Sequence, residues 1–266
     1  MSESDRGQVA GSAAEVYEEF FVPALFGVWP RIVLEEAQVG AGHRVLDVAC
    51  GTGVLAREAL VRVGETGEVV GLDPNAGMLA VARDREPAID WEQGVAEDLP
   101  FESATFDRVV SQFGMMFFTD PEKAIEEMAR VLSPNGRIAV AVWASLEETP
   151  GYAAMVDLLE DLFGHRAADA LRAPYVLGDP VAFEKLVGAV FPEVRVTCHE
   201  DVARFESIDA WVYTDVRGWT LSEMIDDGQY AVLLDEAKRR LSRFRNEIGR
   251  VEFPAPALIA TARAVT

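Results

Sequence analysis

Between residues 43 and 143 the sequence alternates between short β-rich runs and stretches with helical apolar spacing. The β-rich runs fall at Arg44–Val48, 68–72, 89–93, 106–111 and 137–143. Helical spacing occupies Val54–Val63, 75–85 and 121–132, and SPNGR at 133–137 reads as a turn. Strands that are apolar along their length, separated by helices, bury themselves as a parallel sheet covered on both faces.

The flanks read differently. Helical spacing runs from Gly11 to Phe20, and FVPALFGVWP follows. That segment is too short for a membrane anchor and is broken by Pro23 and Pro30, so it reads as a lid or core-docking element. A second helical stretch at 31–39 stops at Gly40 and Gly42. Beyond Ala144, prolines and glycines at 150, 151, 174, 178, 180 and 192 cut the chain into short helical pieces, as in an inserted cap. Residues 194–202 and 257–264 read as strands that finish the sheet, and 230–248 as a helix. The expected division is a helical lid (1–42), a core (43–143), a cap with late sheet elements (144–254) and a final strand (255–266).

Composition limits the partners. The formal net charge of −21 disfavours nonspecific contact with phosphate backbones. Two cysteines, Cys50 and Cys198, make neither a disulfide framework nor a metal-ligand pairing. The opening MSESDRGQ is polar and acidic rather than signal-like, and no apolar run spans a bilayer, so a cytoplasmic protein is expected. Nothing in the pattern speaks to oligomeric state.

The stretch VLDVACGTGVLA carries the chemistry. Gly51, Gly53 and Ala56, with Asp73 ending the next strand, match the dinucleotide fingerprint G-x-G-x-x-G/A followed by an acid. An NAD-dependent oxidoreductase is therefore one reading. Asp47 argues against it, because a carboxylate at the end of the first strand repels a pyrophosphate. It attracts a ligand carrying an ammonium and a sulfonium, as S-adenosylmethionine does. Gly51 and Gly53 permit close backbone approach to its methionine part, and Asp73 can accept from both ribose hydroxyls.

With these residues in hand, the chain resembles the class I S-adenosylmethionine-dependent methyltransferases, in the branch of the quinone-biosynthesis C-methyltransferases. VLDVACGTG is similar to the family's first motif and VVGLDPNAGML to the segment bearing the ribose acid. GVAEDLPF, FDRVVSQFGMMFF and EEMARVLSPNGRIAVAVW follow in family order. The resemblance spans 17–143. It implies a Rossmann-like, doubly wound, mostly parallel seven-stranded sheet with an antiparallel final strand and a helical cap after the fifth.

Residue by residue, the resemblance implies that Asp47, Ala49, Gly51 and Gly53 hold the methionine end and Asp73 the ribose. Pro74 and Met78 pack on the adenine, and the backbone of Ala96 and Glu97 meets its edge. The Gln112 carbonyl lies under the sulfonium, and Tyr17 closes over the methionine carboxylate. The adenine loop departs from the family's Gly-Asp-Ala, reading Gly94-Val95-Ala96, which leaves Glu97 or Asp98 to replace the missing acid or the backbone to suffice. Phe113, Met115, Met116 and Phe117 either line an apolar acceptor pocket or face the core. The implied reaction is in-line methyl transfer to oxygen or carbon of a small apolar or aromatic molecule. A regulator that binds the cofactor without chemistry is the second reading, motivated by Val95. His43 reads as structural, His165 as a cap residue that could reach the pocket, and the basic cluster from Lys238 to Arg250 as a solvated face.

Overall fold

A computed structural model describes residues 11–218 and 220–264. The polar opening of the chain lies outside the described residues. In chain order the main elements are α1 (Gly11–Val16), a π-helix (Tyr17–Phe26), α2 (Trp29–Glu36), β1 (Arg44–Val48), α3 (Val54–Val63), β2 (Glu68–Asp73), α4 (Ala76–Arg85), β3 (Asp90–Gln93), β4 (Phe106–Gln112), α5 (Pro121–Val131) and β5 (Leu132–Trp143). There follow α6 (Pro150–Phe163), α7 (His165–Arg172), α8 (Pro180–Gly188), β6 (Arg195–His199), β7 (Val202–Phe205), α9 (Ile208–Arg217), α10 (Asp227–Arg240), β8 (Val251–Pro254) and β9 (Ala257–Arg263).

Seven strands form one sheet in the order β3-β2-β1-β4-β5-β9-β6. The β1 to β5 pairings are parallel, and β9 runs antiparallel to both β5 and β6. The expected mostly parallel sheet with an antiparallel final strand is therefore the observed one. Alternate strand residues feed two separate apolar cores, Val45 on one face and Leu46 with Val48 on the other. Burial on both faces is what makes these strands continuously apolar rather than alternating. Strand order reverses direction between β1 and β4, and in open α/β sheets the crevice beyond the carboxyl ends at such a point is where ligands bind.

Local chemistry sets the helix starts. Asn75 caps α4 by accepting from the Gly77 and Met78 N–H groups, and Asp120 caps α5 ahead of Pro121. Asp226 and Gln229 form a reciprocal capping box on α10.

Four boundaries differ from the sequence reading. The strand expected at 137–143 begins at Leu132, so the 133–137 stretch read as a turn lies within β5, where the pairing with β4 shifts register between Phe106 and Arg108. Pro23 does not end the first helical region; the backbone widens into a π-helix across it, with the Gly27 N–H donating to the Val22 carbonyl five residues back at 2.7 Å. Strand 194–202 divides, because β6 joins the main sheet while β7 pairs with β8 in a separate two-stranded sheet. The helix expected over 230–248 stops at Arg240. Asn246 then organises a turn, its side-chain oxygen accepting from the Ile248 and Arg250 N–H groups. Among the described residues no helix is long and apolar enough to cross a membrane.

Candidate functional site

A cavity of 380 Å³ opens at the carboxyl ends of β1, β2 and β4, within the range of small-molecule sites. Tyr17, Asp47, Ala49, Gly51, Asp73, Pro74, Met78, Ala96, Glu97 and Gln112 all line it, together with Phe113 and Phe117. These residues come from the π-helix, three strand ends and the loop after β3, so only the folded sheet brings them together. Cys50, Thr52, Asn75, Gly114 and Thr119 join them, and the sequence reading assigned none of these to the site.

Asp47 sits on the central strand opposite Gly71 and Val110 and is 1% exposed. Neither of its carboxylate oxygens has a hydrogen-bond partner among the described residues. Burial drives its pKa well above the usual carboxylate range. The Ala56 N–H offsets part of this without reaching hydrogen-bond geometry, and the charge of Asp73 adds to the rise. An orphaned buried carboxyl costs about 1–3 kcal/mol, which marks a position kept for a purpose other than stability.

Asp73 is tied into the turn. Its Oδ2 accepts from the Gly51 N–H at 2.9 Å and its Oδ1 from the Asn75 N–H at 2.8 Å. It does not cap α4, since Asn75 does that, and each oxygen keeps a lone pair for a further donor. Burial raises its pKa to about 6 against the pull of those two N–H groups. Tyr17 lies over this acidic end, its phenol pushed up by burial and then by Asp73, Glu18 and Asp47. The π-helix is held there by Arg57, which bonds Glu18 at 2.7 Å and the Thr52 carbonyl at 2.6 Å. Gln112 Nε2 reaches the Phe26 carbonyl at 3.4 Å from the other side.

The two glycines of the turn have different jobs. A Cβ on Gly51, at φ +55°, meets nothing within 4 Å, so its missing side chain leaves room in the cavity. A Cβ on Gly53, at φ +85°, lies 2.3 Å from Trp91 Cη2. Gly53 does not line the cavity, and the expected approach to a ligand is replaced there by close packing on an indole.

The run at 113–118 also divides. Phe113 and Phe117 face the cavity, whereas Met115 is fully buried in the core on the sheet's other face, the one that also holds Met128 and Ile125. Met116 is half-buried between the two cores and lines neither this cavity nor the smaller aromatic one beside it. A left-handed Phe113 followed by one 3-10 turn, Met115–Phe117, produces this split.

Val95 is 46% exposed at the cavity's edge. Glu97 Oε1 accepts from the Thr119 and Asp120 N–H groups at 2.7 and 3.2 Å, which commits it to bracing the loop before α5. Asp98 does not line the cavity. The histidines lie elsewhere: His43 accepts from the Gly40 N–H, His199 lies 3.3 Å from Glu36, and His165 is 82% exposed beside Glu160. In the basic cluster, Lys238, Arg240 and Arg250 pair with Asp209, Asp161 and Glu206.

The buried acids have a consequence for stability. Asp215, on α9, is pushed up to about 8 by burial, and Asp73 to about 6. Between pH 4 and these values the folded protein holds protons that the unfolded chain has released, so stability falls as pH rises through that window. Asp215 alone represents on the order of 5 kcal/mol. The melting temperature of the free protein is therefore expected to drop by about 10 °C between pH 5 and pH 8.5. A flat profile by calorimetry contradicts the placement of these carboxyls.

Residues 45–136 match the family model described as a methyltransferase domain. A ubiquinone/menaquinone biosynthesis C-methyltransferase of Haemophilus ducreyi is 43% identical over 119 residues, covering 42% of this chain and 46% of the relative. The enzyme of that name from Pseudomonas aeruginosa strain LESB58 is 44% identical over the same length, with the same shares of each chain. The matched segment thus spans less than half of these relatives. A solved phosphoethanolamine N-methyltransferase 2 of Haemonchus contortus, in complex with S-adenosyl-L-methionine, superimposes with a TM-score of 0.61 at 18% identity. It covers 97% of this chain and 58% of that one, a likeness of fold. Residues 45–136 thus resemble a methyltransferase domain, set in a fold of the class I, Rossmann-like type. Over that core the chain resembles the ubiquinone/menaquinone C-methyltransferase branch.

Proposed function

We propose that the protein binds S-adenosylmethionine in the 380 Å³ cavity and methylates oxygen or carbon of a small apolar or aromatic molecule. The observation that carries this reading is the buried, unpartnered Asp47 carboxyl on the cavity wall. A diphosphate there meets the carboxyls of Asp47 and Asp73, with Glu97 also on the wall, and, among the described lining residues, no cation, whereas an ammonium supplies what Asp47 lacks. Gly51 leaves the space that a methionine backbone needs.

In this reading Asp47, Ala49 and Gly51 hold the methionine end, and Gly53 shapes the turn from behind. Asp73 takes the ribose hydroxyls, Pro74 and Met78 flank the adenine, and the Ala96 and Glu97 backbone meets its edge. The Gln112 carbonyl faces the sulfur, and Tyr17 covers the amino-acid end. When bound, the cofactor supplies an electrophilic methyl group on a cationic sulfur. The chain's own task is alignment and exclusion of water, which Phe113, Phe117 and the π-helix perform as a lid with the segments after β5. The names of the matched relatives support carbon as the acceptor atom.

Binding an ammonium requires Asp47 to give up its proton. Because burial raises the Asp47 pKa, affinity for S-adenosylmethionine is expected to rise with pH, with a binding enthalpy that depends on the buffer's ionisation enthalpy. An enthalpy independent of buffer contradicts the ion pair.

Asp73→Ala removes hydrogen bonds to a charged group worth about 1.5–3 kcal/mol, so affinity falls at least tenfold. His165→Ala, at an exposed side chain, leaves it unchanged. Equal dissociation constants for these two variants contradict the site. The reaction itself is tested by incubating the protein with methyl-labelled S-adenosylmethionine and a panel of small phenols and hydroquinones. Label is expected in the organic extract; cofactor binding with no transfer to any member favours the non-catalytic reading.

A further inference from the structure

A second, narrow cavity of 40 Å³ adjoins the first, sharing Tyr17, Phe113 and Phe117 with it. Its remaining wall is apolar and aromatic, including Phe21, Phe26 and Trp143, with Trp143 stacked on Phe113 at 3.8 Å. The one carboxyl among its described lining residues belongs to Asp215. That side chain comes from α9, outside every motif of the nucleotide-type core, and is 1% exposed. Tyr152, from α6, donates to Asp215 Oδ1 at 3.1 Å. Asp215 Oδ2 has no hydrogen-bond partner among the described residues.

We propose that Asp215, held by Tyr152, anchors a hydroxyl group on the acceptor, so that the substrate class is an apolar or aromatic ring bearing a phenol or alcohol. The inference rests on the methyltransferase reading and adds the acceptor's recognition to it. Its basis is the mismatch between the wall and the carboxyl. The aromatic and aliphatic side chains that make up most of the wall select an apolar body, and the unpartnered carboxyl oxygen selects a polar group on it. A hydroxyl can donate to a carboxylate or accept from a carboxylic acid, so it suits the site in either protonation state. Burial keeps Asp215 largely uncharged at neutral pH; Tyr152 offsets that burial in part, and so does the nearby Trp211 indole N–H, which does not reach hydrogen-bond geometry. A neutral carboxyl of this kind favours a neutral hydroxyl over an ammonium. The small volume accommodates the hydroxyl-bearing end while the ring lies against Phe113 and Phe117.

The test uses wild-type protein saturated with S-adenosylhomocysteine, and three probes followed by fluorine NMR: 4-fluorophenol, 4-fluorotoluene and 4-fluorobenzylammonium. The phenol is expected to bind at least tenfold more tightly than the toluene. Asp215→Leu is expected to abolish that preference without changing the dissociation constant for S-adenosylhomocysteine. Asp215→Asn, which keeps an oxygen and an N–H at the same place, is expected to retain it. Equal or absent binding of phenol and toluene by the wild type overturns the proposal, and so does a preference that survives in the leucine variant or disappears in the asparagine variant. Tightest binding by the ammonium overturns it as well. If the leucine variant does not fold, the wild-type comparison decides alone. Failure of the wild type to bind S-adenosylhomocysteine at all instead removes the underlying methyltransferase reading.

Discussion

Replacing Asp47 by asparagine is expected to raise the melting temperature of the free protein at pH 8 while weakening S-adenosylmethionine binding by about tenfold to 100-fold. The two effects have one cause. The carboxyl is buried among strands β1, β2 and β4 with no partner among the described residues, and its pKa is driven upward, so the folded state bears the cost of keeping it. Asparagine has nearly the same shape and carries no charge to desolvate. It also lacks the charge that an ammonium needs. Thermal unfolding of the free variant, followed by calorimetric titration of the cofactor, checks both halves. A variant that is less stable in the free state and binds normally shows that Asp47 serves the fold.

The second large effect separates the two glycines. Gly53→Ala forces a Cβ to within 2.3 Å of the Trp91 ring, and that ring is fixed by its own N–H bond to the Glu86 carbonyl at 2.9 Å. The left-handed backbone at φ +85° adds about 1–2 kcal/mol and the overpacking about 1–3 kcal/mol. A fall in melting temperature of about 10 °C is expected, on the order of 2–4 °C per kcal/mol. Gly51→Ala, whose Cβ points into open space, is expected to melt within about 5 °C of wild type and yet to lose cofactor affinity, because the methyl group occupies ligand space. A reversed pattern, with Gly51→Ala the unstable variant, contradicts this division.

Much of the core is legible in the amino-acid sequence because its determinants are local. β1 and α3 begin and end where the apolar run and the glycine turn place them, and Asp73 ends β2 as its position after that strand implies. Ligand-facing backbone in this fold is built from consecutive residues, so a short motif carries it. The distinction between Gly51 and Gly53 depends on Trp91, some forty residues away, and no local pattern contains it. Met115 and Phe117 look alike in sequence, but one 3-10 turn sends them to opposite faces. Proline at 23 reads as a stop, and only the packing of Phe21, Leu25 and Phe26 into the core explains why the helix continues in a wider form. Asp215 and Tyr152 leave no trace in the sequence pattern for the same reason: they lie 63 residues apart, on helices that carry no motif, and meet only in the folded protein.

The central claim is that the acidic end of the 380 Å³ cavity receives a cationic cosubstrate rather than a diphosphate. Its most direct test is calorimetric titration of the purified protein at pH 7.5 with S-adenosylmethionine and, separately, with NADH. The account predicts saturable binding of S-adenosylmethionine at one site per chain and no heat from NADH. Binding of NADH to a protein that ignores S-adenosylmethionine would contradict it.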